Sequence, residues 1–277
     1  MKMKNTVLFI AFAIFAFASC SKDTEIEIPV PVNDFVEIPD IEFEKELIRV
    51  GIDSDGEINQ KLLKTDAEKV TKLSLYRTDI NTLKGIEAFV NLKNLNAEAN
   101  KLTSIDLSNN VLLDTIHLGF NNLTTIKGLN NALNLKWLSL SGNLFTEFTI
   151  ENPSIESILM SHNELTSFNA NQCPKLTGVL LHINKLEALD FSNNPLLETL
   201  IFSDNKVKTI DLDNNVNLEY IYCSSNLFTS FDVSKLNKLV DLRVDRNPTL
   251  TCIKIAEDQE ILTLSLSDYQ ETNINCN

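Results

Sequence analysis

Glycine is scarce, with 7 residues in 277, well under the usual ~7 %. A chain so poor in the residue that freely takes φ > 0 is expected to have few loops that cradle a phosphate on backbone amides. Cations are scarce too. Lys and Arg number 24 against 38 Asp and Glu, a net charge of −14. Coating DNA or RNA needs clustered cations, so a nucleic-acid partner is excluded. The HExxH, GxSxG and CxxC motifs are all missing. No acid, base and nucleophile constellation is visible, so neither an enzyme nor a cofactor is expected. What the chain does have is core material: 43 % of residues are hydrophobic, which argues against wholesale disorder. Length alone suggests two domains, a prior that fails for a repeat array.

The N-terminus reads as an address. Lys2 and Lys4 precede an apolar run from Val7 to Ala18, too short for the ~20 residues of a membrane span but suited to a signal-peptide core. The run closes Phe17-Ala18-Ser19-Cys20, which resembles the lipobox of bacterial lipoproteins. The resemblance implies a signal peptide over 1–19 and acylation of Cys20, with more than one chain for stable anchoring. Ser21-Lys22-Asp23-Thr24-Glu25 resembles the surface-export signals of Bacteroidetes-type lipoproteins. Residues 20–34 read as an extended linker, with Pro29 and Pro31 opposing helix. The implied location is the outer membrane, lipid-anchored at the cell surface. Removing 1–19 takes away two Lys and no acids, leaving the mature chain near −16.

From Val70 onward the chain repeats itself. Leu92-Lys93-Asn94-Leu95-Asn96-Ala97-Glu98-Ala99-Asn100-Lys101-Leu102 aligns with Leu197-Glu198-Thr199-Leu200-Ile201-Phe202-Ser203-Asp204-Asn205-Lys206-Val207, both reading LxxLx(apolar)xxNxL. The marker recurs at Asn100, Asn121, Asn143, Asn163, Asn184, Asn205, Asn226 and Asn247, at intervals of 21, 22, 20, 21, 21, 21 and 21. This resembles the leucine-rich repeat family, with short internalin-like repeats. A degenerate first repeat carries Thr78 at the Asn position. Residues at positions one, four, six and eleven should share one core that only stacked neighbours can bury. In the family the Asn amide bonds backbone groups of adjacent turns, which makes the eight Asn a structural ladder; an unpaired buried amide costs about 1–3 kcal/mol. The expected fold is a right-handed, mainly β and coil leucine-rich repeat solenoid. It has a curved parallel sheet, an axis of about 40–45 Å at ~4.8 Å per strand and a small helical N-terminal cap. Segments such as Ile105–Asn110 and Leu189–Asn194 read as turns whose Asp and Asn bond local backbone.

Residues 35–69 are assigned to the cap, 70–260 to the repeats and 261–277 to a C-terminal cap. Ile41 to Gly51 has helical spacing with Asp40 as N-cap, and Gln60 to Val70 suggests a second short helix. Asp34 to Leu92 resembles the N-terminal caps of Bacteroidetes leucine-rich-repeat proteins. Asp53-Ser54-Asp55-Gly56 lacks the bidentate Glu of a calcium loop and reads as a turn. Gly51 to Gly56 has phosphate-loop spacing but Glu57 where Lys is needed. Cys252 is placed in a column otherwise filled by Ile or Phe, and a Cys252–Cys276 bridge would pin the tail over the open core end. Such a bridge is permitted outside the cytoplasm. Cys173 and Cys223 fall in different columns and read as free thiols.

The register puts His117, His162 and His182 on one surface. A zinc site there would need a third ligand, with Glu164 and Asp204 the near candidates, and no metal is assigned. Outward strand positions are read as Phe120, Trp137, Leu159, Leu180, Ile183, Ile201, Tyr220 and Tyr222. Arg243 and Arg246 form a polar rim with Asp241 and Asp245. A contiguous apolar and aromatic patch of this kind marks an interaction site. The partner is read as a protein or peptide held on the concave face. Glycan binding through Trp and Tyr stacking is the alternative, followed by a passive adhesion scaffold. The membrane contact is through the N-terminal lipid.

Overall fold

A computed structural model describes residues 34–276. The signal-peptide and Cys20 readings, and the linker up to Asn33, lie outside the described residues.

The chain winds into a solenoid. Each coil contributes one three-residue strand to a ten-stranded parallel sheet, running in sequence order from Lys72–Ser74 to Thr263–Ser265. The strands occupy positions three to five of the repeat. Position four points inward and forms a register-matched column: Leu95 pairs Ile116, Leu138 pairs Ile158, and Leu200 pairs Ile221. These residues, with the leucines at positions one and eleven, are completely buried. The opposite side is thinner. Short parallel pieces stack there, Ser104–Asp106 on Thr125–Lys127, Glu147–Thr149 on Ser167–Asn169, and Phe231–Asp232 on Cys252–Lys254 on Glu271–Asn273. Single 3-10 turns at Ile86–Ala88 and Leu129–Asn131 complete it.

The marker Asn makes the same bonds in every coil. Asn121 Nδ2 donates to the carbonyls of Leu118 in its own coil and Ala97 in the preceding one, while its Oδ1 accepts the N–H of Leu102. Asn163, Asn184 and Asn205 repeat this trio one coil at a time. Each amide therefore satisfies one N–H and two C=O groups that the strand-to-turn transition leaves behind.

A second ladder runs along the opposite turn, and here the local-bonding reading of the turns is only half right. Asp106, Asp190 and Asp211 do accept N–H groups two residues on. Asn110, Asn152, Asn194 and Asn215, however, are fully buried and donate across coils. Asn194 Nδ2 reaches Ala170 O and Cys173 O, and Asn215 Nδ2 reaches Phe191 O and Asn194 O. Cys173 occupies a rung of this ladder, its thiol donating weakly to Ile150 O at 3.6 Å. Gln259 serves the last rung, donating to Val233 O and Leu236 O.

Scarce glycine does not make left-handed turns scarce in this chain. Position eight of each repeat, just past the strand, is left-handed throughout: φ is 58° at Ala99, 54° at Phe120, 57° at His162, 54° at Ile183 and 57° at Asp204. Only Gly142 supplies the residue this conformation favours, at 68°. The two bonds that the next residue, the ladder Asn, makes to its own and the preceding coil over-determine the turn. They hold non-glycine residues where the backbone alone would not.

The N-terminal cap is a helix over Ile41–Arg49, with Asp40 accepting from the N–H groups of Glu42 and Phe43. The other oxygen of Asp40 accepts from Asn81 and Thr82, so one carboxylate both starts the helix and ties it to the first coil. Phe43 and Leu47 close the core end. The second helix expected over Gln60–Val70 is a strand, Lys61–Leu63, paired antiparallel with Phe35–Glu37, followed by one helical turn at Lys64–Ala67. Gly85 is required here: at φ 105° a Cβ would lie 2.3 Å from Ile38.

Cys252 and Cys276 form a disulfide with Cα atoms 5.7 Å apart. Two details of its setting differ from the sequence reading. Ile253, not Cys252, continues the Ile/Phe column, since Phe231 pairs Ile253; Cys252 stands one residue earlier, partly exposed. The tail also does not cross the core end. It forms a further coil, with Thr263–Ser265 joining the main sheet and Glu271–Asn273 the opposite one. Cys173 and Cys223 are free and buried.

Candidate functional site

The outward face of the sheet presents positions three, five and seven of each repeat. Lys or acidic side chains occupy it at the first coils (Lys72, Glu98) and again from Asp241. Between Thr115 and Ser224 these positions hold no Asp, Glu, Lys or Arg across six consecutive repeats, in a chain that is 22 % charged. Charged residues line one border at position two, Asp114, Lys136, Glu156, Glu198 and Glu219, and Asp204 stands at position eight on the other. Depletion of charge with retained aromatic and aliphatic groups is the compositional mark of an interface centre, with charge on its rim.

Within this floor, position five forms an apolar stripe. Leu159, Leu180, Ile201 and Tyr222 lie side by side on neighbouring strands. Small residues flank it, Ser157, Gly178 and Thr199 on one side and Ser161, Ser203 and Ser224 on the other. One hollow of about 520 Å³ is lined by Leu180, His182, Ile201, Ser203, Tyr222 and Arg243, among others.

The floor ends at a charged network. Asp241 is buried and accepts from the Tyr222 hydroxyl at 2.9 Å and from Arg243 at 3.1 and 3.3 Å. The Arg243 guanidinium lies 4.1 Å above the centre of the Tyr222 ring. Burial, then the Asp241 hydrogen bond, push the Tyr222 hydroxyl pKa upward. Asp245 accepts from the Ser224 hydroxyl and pairs with Arg246. Each arginine is matched by a carboxylate, so this end orients Tyr222 without adding net charge.

Leu180, His182, Ile201, Tyr222 and Arg243 share one hollow, and Leu159 extends their stripe. Trp137 and Tyr220 stand at position three, on the border side of it. Trp137 is tilted against His117 with ring centres 6.4 Å apart. Phe120, Ile183 and His162 are not strand residues, as the sequence reading had them. They sit in the left-handed turns past the strand ends and form a ridge along the other border, where Phe120 is 61 % exposed. His162 and His182 meet edge to face at 4.9 Å. Burial, then the neighbouring His162, lower the His182 pKa, with Asp204 opposing. Of the proposed third ligands, Glu164 is engaged by Lys185. No group of three His, Cys, Asp or Glu among the described residues is arranged to hold a metal ion.

The charge-free floor escaped the residue-by-residue reading, which looked for aromatic and histidine side chains. It becomes visible only when positions three, five and seven are read down the repeats together.

No protein-family profile and no curated protein matches the sequence. Solved structures do match the fold. The functional domain of InlJ from Listeria monocytogenes, described as including a cysteine ladder, superposes with a TM-score of 0.57 at 23 % identity, over 80 % of this chain and 57 % of that one. Internalin C2 of Listeria monocytogenes gives 0.55 at 17 % identity, over 83 % and 94 % of the two chains. A leucine-rich-repeat protein of Leptospira interrogans gives 0.50 at 19 %, over 76 % and 62 %. The chain is thus a leucine-rich-repeat solenoid of the internalin type in fold, and it spans a little over half the length of the InlJ domain.

Proposed function

We propose that this protein is a binding protein that holds a protein or peptide partner on the outward face of its sheet, and that acylation at Cys20 anchors it at the cell surface. The observation that carries the binding reading is the charge-free floor from Thr115 to Ser224 with the Leu159–Leu180–Ile201–Tyr222 stripe at its centre. A solvated sheet face gains nothing from such depletion, whereas a partner that must desolvate it does. Solenoids as a class offer extended concave surfaces of this kind, and a stacked array loses little conformational entropy on binding. The aliphatic members of the stripe favour a protein over a sugar. Sugar rings stack on aromatic faces, but Trp137 and Tyr220 flank the stripe, and the Arg243 guanidinium already lies over the ring of Tyr222 within it.

The lipid anchor rests on the basic start, the apolar run and Ala18-Ser19-Cys20. Metabolic labelling with a fatty-acid analogue tests it: label on the wild type and none on Cys20→Ser is expected, and label retained by Cys20→Ser contradicts it. The binding reading is tested by placing a photo-crosslinking residue at Leu180 and at Lys208 on the opposite side, then irradiating intact cells. A protein adduct at 180 and none at 208 is expected. A purely glycan adduct at 180, or equal adducts at both, refutes it.

A further inference from the structure

The charge-free floor has the footprint of one α-helix. Its six strands, from Thr115–His117 to Tyr220–Tyr222, stand ~4.8 Å apart, which makes the floor about 24 Å long. Positions three to seven give it a width of about 13 Å at ~3.3 Å per residue. A helix with its side chains is about 10–12 Å across, and about 16 of its residues cover that length.

The stripe selects a helix over an extended chain. Leu159, Leu180, Ile201 and Tyr222 recur once per strand. Same-face residues of a helix, three or four apart, recur every ~5.3 Å along its axis, so over these rungs they fall out of step by only about 1.5 Å. Same-face residues of an extended chain recur every ~6.7 Å, and the mismatch over the same rungs is about 6 Å, more than a whole rung. Backbone chemistry points the same way. The strands from Ser157–Leu159 to Tyr220–Tyr222 each pair with a neighbour on both sides, so the face has no backbone groups to give a visiting chain. An extended segment lying across it would press unpaired N–H and C=O groups onto Leu180 and Ile201, whereas a helix pairs its own.

The two borders differ. On one, Lys136 is engaged by Glu156, while Asp114, Glu198 and Glu219 take part in no ion pair among the described residues. On the other, Phe120 and Ile183 are exposed, and Asp204 is the one charge among the six position-eight residues from Phe120 to Ser225. A second copy of this chain does not supply the occupant. Ile41–Arg49 is the one helix of more than a turn among the described residues, and its Phe43 and Leu47 are buried in the cap.

We infer, on the reading that the floor is the binding face, that its occupant is a single amphipathic helix of about 16 residues from a partner protein, lying across the strands along the solenoid axis. Its apolar residues at i, i+3 or i+4 and i+7 meet the Leu159–Tyr222 stripe and the ridge of Phe120 and Ile183. Lys or Arg residues on its other flank pair with Glu198 and Glu219.

The spacing of contacts along the partner tests its conformation. A photo-crosslinking phenylalanine analogue is placed in the full chain at Leu159 and, separately, at Tyr222, and the adducts formed on intact cells are mapped by residue. The three rungs between these positions span about 14 Å, which is about ten residues of helix or about four of extended chain. A displacement of about ten residues within one partner segment is expected. Ser157 and Tyr220, on the flanking row, are expected to give the same displacement, and they keep the measurement decisive if the analogue at Tyr222 disturbs its contacts with Asp241 and Arg243. With the analogue at Leu180, Glu198→Gln together with Glu219→Gln is expected to lower adduct yield roughly threefold and to remove most of its salt dependence. A displacement of about four residues, or adducts scattered over separate segments, overturns the helix and leaves the binding face standing. No protein adduct at any of these positions overturns both. An adduct yield at low salt that the double variant leaves unchanged overturns the basic flank.

Discussion

Asn194 and Cys173 occupy the same column of the second ladder one coil apart, and Asn194 Nδ2 donates to the Cys173 carbonyl at 2.9 Å. The cysteine therefore receives what its neighbours give but returns only a weak thiol contact to Ile150 O. Asparagine at 173 would find the two-carbonyl arrangement that Asn194 and Asn215 use. Cys173→Asn is expected to raise stability by about 1 kcal/mol, read as a shift in the urea midpoint with an unchanged slope. A loss of stability would show that the rung cannot accept an amide at that coil.

The two ladders should differ in strength. Asn163 accepts the Phe145 N–H and donates to two carbonyls. Asn194 donates to two carbonyls, and its buried Oδ1 has no partner among the described residues. Removing Asn163 strands a buried N–H as well as carbonyls, and an orphaned N–H is the less tolerated. Asn163→Ala is expected to cost about 3 kcal/mol and Asn194→Ala about 1–2 kcal/mol, measured by equilibrium unfolding.

Position eight gives a prediction of opposite sign for two neighbouring classes of residue. Ile183 is β-branched at φ 54°, a conformation that costs L-residues about 1–2 kcal/mol and Asn less. Ile183→Asn is expected to raise the melting temperature. Gly142→Ala is expected to lower it, because φ is 68° and the new methyl would meet the Phe120 ring at 2.8 Å.

Much of the architecture is legible in the sequence because it is carried by residue identity at a fixed period. Leucine columns and an Asn every 21 residues need no structure to be recognised. The second ladder is harder. Asn110, Asn194 and Asn215 each follow another Asn, and the pairs read as turns. Ala132 and Cys173 interrupt the column. The left-handed column cannot be read at all: Ala, Phe, His, Ile, Asp, Ser and Arg fill it, so its conformation is imposed by the neighbouring Asn rather than encoded at the position. The site follows the same rule. Tyr222, Leu180 and Ile201 are legible as outward residues, while Phe120, His162 and Ile183 go wrong by assuming the strand extends to position eight.

Two titrations should bend the stability profile in opposite directions. Burial and then Asp55 raise the Asp53 pKa to about 6, so the folded state holds its proton more tightly than the unfolded chain. That contribution is complete below the unfolded carboxyl pKa near 4 and is lost as pH rises through about 6. Asp53→Asn is expected to add about 2 kcal/mol at pH 7 and little at pH 4. His182 acts the other way. Its folded pKa is lowered, so stability holds above the unfolded value of ~6.5 and falls as pH drops below it. His182→Gln is expected to flatten that acid-side decline. Chemical denaturation across this range checks both.

Introducing charge into the floor tests the central claim most directly. The protein crosslinked at position 180 is the ligand, and its retention is measured by wild type, by Ile201→Asp and by Lys208→Asp on the opposite side. Ile201 is half-buried at the surface of the stripe, so the fold is expected to survive, with a near-native circular dichroism spectrum and melting temperature. A buried unpaired carboxylate in an interface costs about 2–5 kcal/mol. The account predicts that Ile201→Asp abolishes retention while Lys208→Asp leaves it unchanged. Full retention by a folded Ile201→Asp would contradict it.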